Sequence, residues 1–300
     1  MKAISAAERV YICEGCAVGI RYDGRGPESF RSISVENNVL PNVNGSSRVR
    51  IANAVDIICT VKLEVVELEA AGPRNLCEVS VEVSRSCNIH VDETQLNSYG
   101  TLLAERLQSM LAGSSCLDSN DFSIIKNKCS WMAHVDLLVL QMDGDPLDAC
   151  SAAAFLALGC TRVPRTELVA GETGLLEDFD VLGDLALAKP ISTQSVPISI
   201  TVAKVGEVLL FDASGEEQQC ASCVLSIAID RSGKCCGLTY LRHGLLEPGE
   251  VTSCIDRACR AALATFEHLQ KYTQAMDALE TAPAHTRCPD EPALRLGLLV

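Results

Sequence analysis

Three carboxylates crowd one short stretch of the chain: Asp143, Asp145 and Asp148, in Asp143-Gly144-Asp145-Pro146-Leu147-Asp148-Ala149. Just upstream, Val135 to Gln141 is nearly continuous in Val and Leu, which reads as a strand buried on both faces. Asp143-Gly144 signals a tight turn, because glycine accepts the positive φ that a reversal needs. Asp145 can cap the helix that follows, with Pro146 at its first position. That helix is small-sided (Ala149, Ser151, Ala152, Ala153, Ala154, Ala157), so its backbone can lie close to a sheet. A strand, a turn and a helix N-terminus make the geometry of an anion site. The turn holds no Lys or Arg, however. At an effective dielectric of about 20, like charges about 4 Å apart repel by on the order of 4 kcal/mol, which works against phosphate.

Two further groups of residues invite chemistry. Cys13-x-x-Cys16 and Cys220-x-x-Cys223 have zinc-knuckle spacing. Neither carries the turn-forming Gly or Pro of a zinc ribbon, and Cys220 and Cys223 run into the apolar segment Val224-Leu225-Ser226-Ile227. Free thiols are the expectation, with no metal and no cofactor, although sixteen cysteines are many for an intracellular chain. Arg48 and Arg50 alternate with Val49 and Ile51, so they face away from the core, as a solvated sheet face or as contacts to a polyanion. The Gly-rich loop Arg21-Tyr22-Asp23-Gly24-Arg25-Gly26 reads as a surface turn in which arginines tie down the backbone.

The net charge of −14 argues against nonspecific nucleic-acid binding by this chain alone. It leaves room for partners that supply basic surface. No apolar run approaches membrane-spanning length and the N-terminus lacks a signal-peptide core, so a soluble intracellular protein with no membrane partner is expected.

The elements that must position these residues follow from periodicity. A short N-terminal helix covers Ala6 to Ile12. A period of two from Phe30 to Leu68 gives strands around Ile33 and Val35, Val49 and Ile51, and Val55 to Val65. Residues 70–75 break the pattern and Leu76 to Val83 resumes it. Asp92 or Thr94 can cap a helix running to about Leu111, with Leu102, Leu103, Leu107, Met110 and Leu111 on its buried side. Phe122 to Ile125 and Trp131 to Leu140 are strands. Thr166 to Ala188, acidic and weakly patterned, reads as a loop or linker. Strands follow at Val196 to Val202, Val208 to Phe211, Ser222 to Ile229 and Gly237 to Leu241. Pro248-Gly249 opens a long amphipathic helix to about Leu279. Strands followed by a helix, twice over, suggest two packed α+β units. The implied organisation is an N-terminal extension (1–29), a first half (30–165), a connection (166–195), a second half (196–281) and a mobile tail (282–300).

Five segments in order carry a resemblance: Glu8-Arg9-Val10-Tyr11-Ile12, Arg21-x-Asp23-Gly24-Arg25-Gly26, Arg31-Ser32-Ile33-x-Val35-Glu36, Asn44-Gly45-Ser46-x-Arg48-Val49 and Asp143-Gly144-x-x-x-Asp148-Ala149. Together they resemble the RNase PH-like subunits of the RNA exosome ring, over about residues 6–280. The resemblance implies an α+β fold of the RNase PH type. Its first half would be like the second domain of ribosomal protein S5, and its second half a smaller α+β unit. It also implies a six-membered ring of RNase PH-like subunits with S1/KH cap subunits, RNA passing through the assembled ring, rRNA processing and 3′–5′ degradation, and a place in nucleus, nucleolus and cytoplasm.

Phosphorolytic relatives need cations around phosphate and a carboxylate near the leaving oxygen. Where their turn reads Gly-Thr-Arg or similar, this sequence has Asp145-Pro146-Leu147, a degenerate phosphate site. Their two aspartates fall at Lys189 and Ser195 here, and Leu185 to Gly206 contains no Asp or Glu. The expectation is a non-catalytic ring subunit. The alternatives are an active phosphate-dependent exoribonuclease and, resting only on the two Cys-x-x-Cys pairs, a zinc-binding regulatory protein. The arginine-rich loop of active relatives is reduced to Arg85 and His90, and Glu105 and Ser109 replace arginines of some archaeal partners. Arg48, Arg50, Arg85 and Arg106 are the candidate RNA contacts, with inter-subunit or surface ion pairs as the competing reading.

Overall fold

A computed structural model describes residues 4–67, 76–87, 91–114, 122–125, 128–170, 176–184 and 187–280. The expected break at 70–75, His90 and the tail 282–300 lie outside the described residues. In chain order the elements are α1 (Ala6–Ala17), β1 (Ile33–Asn37), β2 (Gly45–Ile51), β3 (Val55–Glu67), β4 (Cys77–Val83), α2 (Glu93–Ser114), β5 (Ser123–Ile125), β6 (Cys129–Gln141) and α3 (Leu147–Cys160). Then come β7 (Arg162–Val163), β8 (Thr166–Ala170), β9 (Leu176–Val181), β10 (Lys189–Pro190), β11 (Ile198–Val205), β12 (Val208–Phe211), α4 (Gly215–Cys220), β13 (Cys223–Ile229), β14 (Cys235–Arg242) and α5 (Pro248–Glu280).

The first half is a six-stranded sheet in the order β1-β2-β3-β6-β4, with β5 added to β6. Only β4 runs parallel to its neighbour β6, and α2 makes the long crossover that a parallel pair requires. Register places Val35, Val49, Ile57, Val139 and Val83 on one face, and all are buried. Helices α2 and α3 cover that face. Gly45 lets α3 approach: a Cβ there would sit 2.5 Å from the Ala157 carbonyl oxygen. Strand β6 is not buried on both faces as its run of Val and Leu suggests. Its odd-numbered residues from Cys129 to Val139 are buried, whereas Met132, His134, Asp136, Leu138 and Leu140 are half-buried, because the described helices lie on one side only. Within α2, Leu103, Leu107, Met110 and Leu111 are core residues, but Leu102 is exposed.

The second half is a four-stranded antiparallel sheet in the order β12-β11-β13-β14. Here β13 is buried along its whole length and β11 nearly so. Helix α3 of the first half and α5 of the second both pack on β11, and Phe155 of α3 meets Phe266 of α5 edge-on at 5.2 Å. One hydrophobic cluster therefore runs through both halves.

The stretch expected to be a linker contains a hairpin, β8–β9. Its register puts Leu168 opposite Phe179 on one face and Glu167 opposite Asp180 on the other. The sequence is acidic because one face of the hairpin is acidic, and that charge hides the alternation. Two capping boxes also escape a reading by hydrophobic period. Ser5–Glu8 starts α1, which runs to Ala17, and Ser214–Glu217 starts the short α4. Among the described residues no helix is long and apolar enough to cross a membrane.

Candidate functional site

The carboxylate-rich turn sits at the seam between the two sheets. Gly144 holds it with φ +83°, and Gln218 of α4 lies so close that a side chain at 144 would collide with it. Pro146 occupies the cap position of α3, one residue earlier than expected. Asp145 still serves the helix start, its Oδ1 accepting the Leu147 N–H at 3.0 Å.

Each of the three aspartates has partners brought from elsewhere in the chain. The Arg31 guanidinium donates to Asp143 Oδ2 at 3.1 Å, and the Gly215 N–H donates to Asp143 Oδ1 at 3.1 Å. Arg106 of α2 donates to Asp145 Oδ2 at 3.3 Å. Burial nonetheless holds the Asp145 carboxyl above the usual carboxylate range. Asp148 is half-buried and reaches across the seam to β11. Its Oδ1 accepts from Ser199 Oγ and Thr201 Oγ1, each at 2.7 Å, and its Oδ2 accepts the Thr201 N–H at 2.7 Å. Burial pushes its pKa up to about 7, against the pull of those three donors. The turn has no cation of its own, and the ones that serve it arrive from residues 31 and 106. Likewise, 185–206 has no acid of its own, but α3 lays one against it.

Next to the turn lies a denser ionic lock. The Gly-rich loop exposes its turn at Tyr22 to Gly24 while its arginines tie down backbone, and Arg21 goes further than a surface turn requires: it is wholly buried against Glu217, with Nε to Oε1 at 2.8 Å and Nη2 to Oε2 at 2.5 Å. Its remaining donors reach the Phe211 and Asp212 carbonyl oxygens at 3.0 and 2.9 Å. Asp212, held at the left-handed φ of +46°, is a hub. Arg31 donates its backbone N–H to it at 2.8 Å and Nη2 at 2.6 Å, and Arg25 donates at 2.9 Å. The Arg31 guanidinium is held above its ordinary pKa by Asp212 and Asp143, outweighing its burial.

Two small cavities open on this seam. The one against the turn, lined by Arg31, Asp145, Pro146, Asp148, Thr201 and Asp212, measures about 10 Å³. The other, between Phe30, Val49 and Ile198, measures about 30 Å³. A cavity needs roughly 10–15 Å³ for a single water, so the space against the turn is about that of one water.

The other sequence-selected residues lie elsewhere. Lys189 is exposed on β10, paired with β7, and Ser195 is half-buried just before β11. The four arginines do not converge. Arg48 pairs with Asp56 at 2.6 Å and Arg50 with Glu36, both across the open face of the first sheet. Arg85 is mostly exposed beside Glu93 at 3.6 Å, and Arg106 is committed to Asp145. The two Cys-x-x-Cys pairs meet only in part. Cys13 and Cys16 of α1 face Cys220, while Cys223 looks toward Gly244 and Lys204. Among the described residues no three His, Cys, Asp or Glu side chains are placed to hold a metal. Sequence reasoning missed Arg31, Ser199, Thr201, Asp212, Glu217 and Gln218 as site residues. Of these, only Glu217 was signalled, by its capping box.

Two α+β halves, joined by a shared core and a buried polar seam, define a two-part sheet-and-helix scaffold of the RNase PH type. The chain belongs to the 3′ exoribonuclease family, whose domain 1 matches residues 29–164 and whose domain 2 matches residues 195–261. Relatives named exosome complex component Rrp42 include that of Sulfurisphaera tokodaii, 31% identical, with 84% of this chain and 90% of the relative covered. That of Schizosaccharomyces pombe is 32% identical, covering 74% and 75%. Among solved structures, an Archaeoglobus fulgidus exosome with RNA bound to the active site superposes with a TM-score of 0.71 at 23% identity, covering 87% of this chain and 97% of that one. An archaeal exosome core gives 0.68 at 23%, covering 88% and 96%. These two establish the likeness of fold.

Proposed function

We propose that this chain is a non-catalytic RNase PH-like subunit of an exosome ring. It scaffolds the ring with other RNase PH-like subunits, carries S1/KH cap subunits, and helps channel RNA toward 3′–5′ degradation and rRNA processing in nucleus, nucleolus and cytoplasm. The observation that carries the inactivity is the seam itself. The position where a phosphorolytic relative would bind phosphate is a cavity of about 10 Å³, and both nearby cations, Arg31 and Arg106, are engaged by carboxylates. A phosphate dianion would have to displace those partners and then face Asp143, Asp145 and Asp148.

The active alternative has one observation in its favour. A carboxyl titrating near pH 7 is suited to proton transfer. Asp148, however, already accepts three hydrogen bonds that orient α3 on β11. Arg48, Arg50, Arg85 and Arg106 are the residues we assign to RNA, with Arg85 the most accessible and Arg106 the least. The deciding experiment measures phosphate-dependent release of nucleoside diphosphates from an assembled ring whose other sites are disabled. No release is expected. Release that is lost on Asp148→Asn, in a ring that still assembles, would overturn the assignment.

A further inference from the structure

The two Cys-x-x-Cys pairs, unsuited to a metal, leave three sulfurs together at one place. Helix α1 packs on α4. Ile12 and Cys16 of α1 are buried in a satellite cluster with Ala203, Val205, Leu210, Ala213 and Cys220, and the half-buried Cys13 packs against its edge. The Cys13 and Cys220 thiols lie within hydrogen-bonding reach of each other. They lie far apart in the sequence, and Cys220 ends the helix that carries Glu217, the buried partner of Arg21.

We propose that Cys13 and Cys220 are a redox-reactive pair, converted by a glutathione-type disulfide into a covalent staple between the N-terminal helix and the second half. The partly exposed Cys13 thiolate attacks one sulfur of the small disulfide. That S–S bond breaks, one small thiolate leaves and takes up a proton, and a mixed disulfide remains on Cys13. Cys220 then loses its proton to solvent and attacks the Cys13 sulfur, releasing the second small thiol. Two protein thiols are oxidised and one small disulfide is reduced to two thiols. Such pairs in an intracellular chain act transiently, as sensors rather than as permanent bonds.

The environment assigns the order of attack. Burial, followed by the neighbouring Cys13, raises the Cys220 thiol to about 11, so Cys220 is the slow resolving sulfur and Cys13 the entry point. Cys16 is more deeply buried, beside Glu217, and burial raises its thiol too. It is a bystander.

The test treats the full-length chain with oxidised glutathione at pH 7 and pH 9, traps the remaining thiols by alkylation, and maps linked peptides by mass spectrometry. A Cys13–Cys220 cross-link is expected, with a glutathione adduct on Cys13 building up first at pH 7. Because Cys220 must deprotonate, its resolution should speed up about tenfold per pH unit. Cys16→Ser should leave the cross-link intact and Cys220→Ser should leave only the adduct. If Cys220→Ser does not fold, the wild-type peptide map decides alone. An adduct that never resolves at pH 9, a dominant Cys13–Cys16 link, or no reaction at Cys13 each overturns the proposal.

Discussion

Ion pairs are used in two ways in this molecule, and burial separates them. At the seam, Arg21 and Glu217 are completely enclosed and share further donors and acceptors with backbone. On the open face of the first sheet, Arg48–Asp56, Arg50–Glu36 and Lys62–Asp136 pair across strands while still reached by water, and His134 stands between Glu64 and Glu78. Desolvation makes the first kind costly to break, because a charge left alone has no water to turn to. The second kind is screened and exchangeable. The seam charges hold one fold together, whereas the face charges stay in reach of water and contribute little to it.

The largest effect is expected of Glu217→Ala, which strands the Arg21 guanidinium in the interior. A loss of about 3–5 kcal/mol in denaturant unfolding is expected. Replacing both partners, Arg21→Met with Glu217→Leu, should recover most of that loss. If the double variant is as unstable as the single one, the pair is not acting as an isolated charge couple.

Asp148 should give the next largest effect, and one with a pH signature. Its pKa is raised in the folded chain, so the fold binds its proton more tightly than the unfolded chain does. Its contribution is therefore complete below about pH 4 and lost as pH rises through about 7. Asp148→Asn should flatten the stability profile in that window. Asp148→Ala should cost about 1–3 kcal/mol by orphaning the Thr201 N–H and two hydroxyls. A wild-type melting curve that does not move between pH 4 and 7 would refute this account.

On the open face, Arg48→Ala should cost less than about 1 kcal/mol by thermal unfolding. The smallest effect concerns RNA. In an assembled ring, Arg48→Ala with Arg50→Ala should weaken single-stranded RNA binding uniformly across sequences. The log–log salt slope should become shallower by about 0.7 for each RNA phosphate that is no longer neutralised. An unchanged slope would leave both arginines with their carboxylates alone.

Much of this scaffold could be read from the chain. Alternation located β1 to β4, apolar runs located β6 and the strands of the second sheet, and Asp143-Gly144 located the central turn. What the sequence concealed is long-range pairing. The turn has no cation within its own residues, so Arg31 and Arg106 become visible only when β1 and α2 are in place. Glu217 reads as a surface helix acid until Arg21 is brought to it. The hairpin β8–β9 was obscured for a local reason, since acids along one face of a two-stranded ribbon look like a polar linker.

The Arg21–Glu217 lock also sets an order of events. The two residues lie 196 apart in the chain, and at about 5–20 residues per second a ribosome delivers the second roughly 10–40 s after the first. Through that interval the first sheet can form, with α2 and α3 laid on it. Its loop cation must stay in water, and the Asp148 side of α3 lies open with no β11 to receive it. Closure of the seam thus waits for the second half, and until then the newborn chain carries the surface that later joins its halves uncovered.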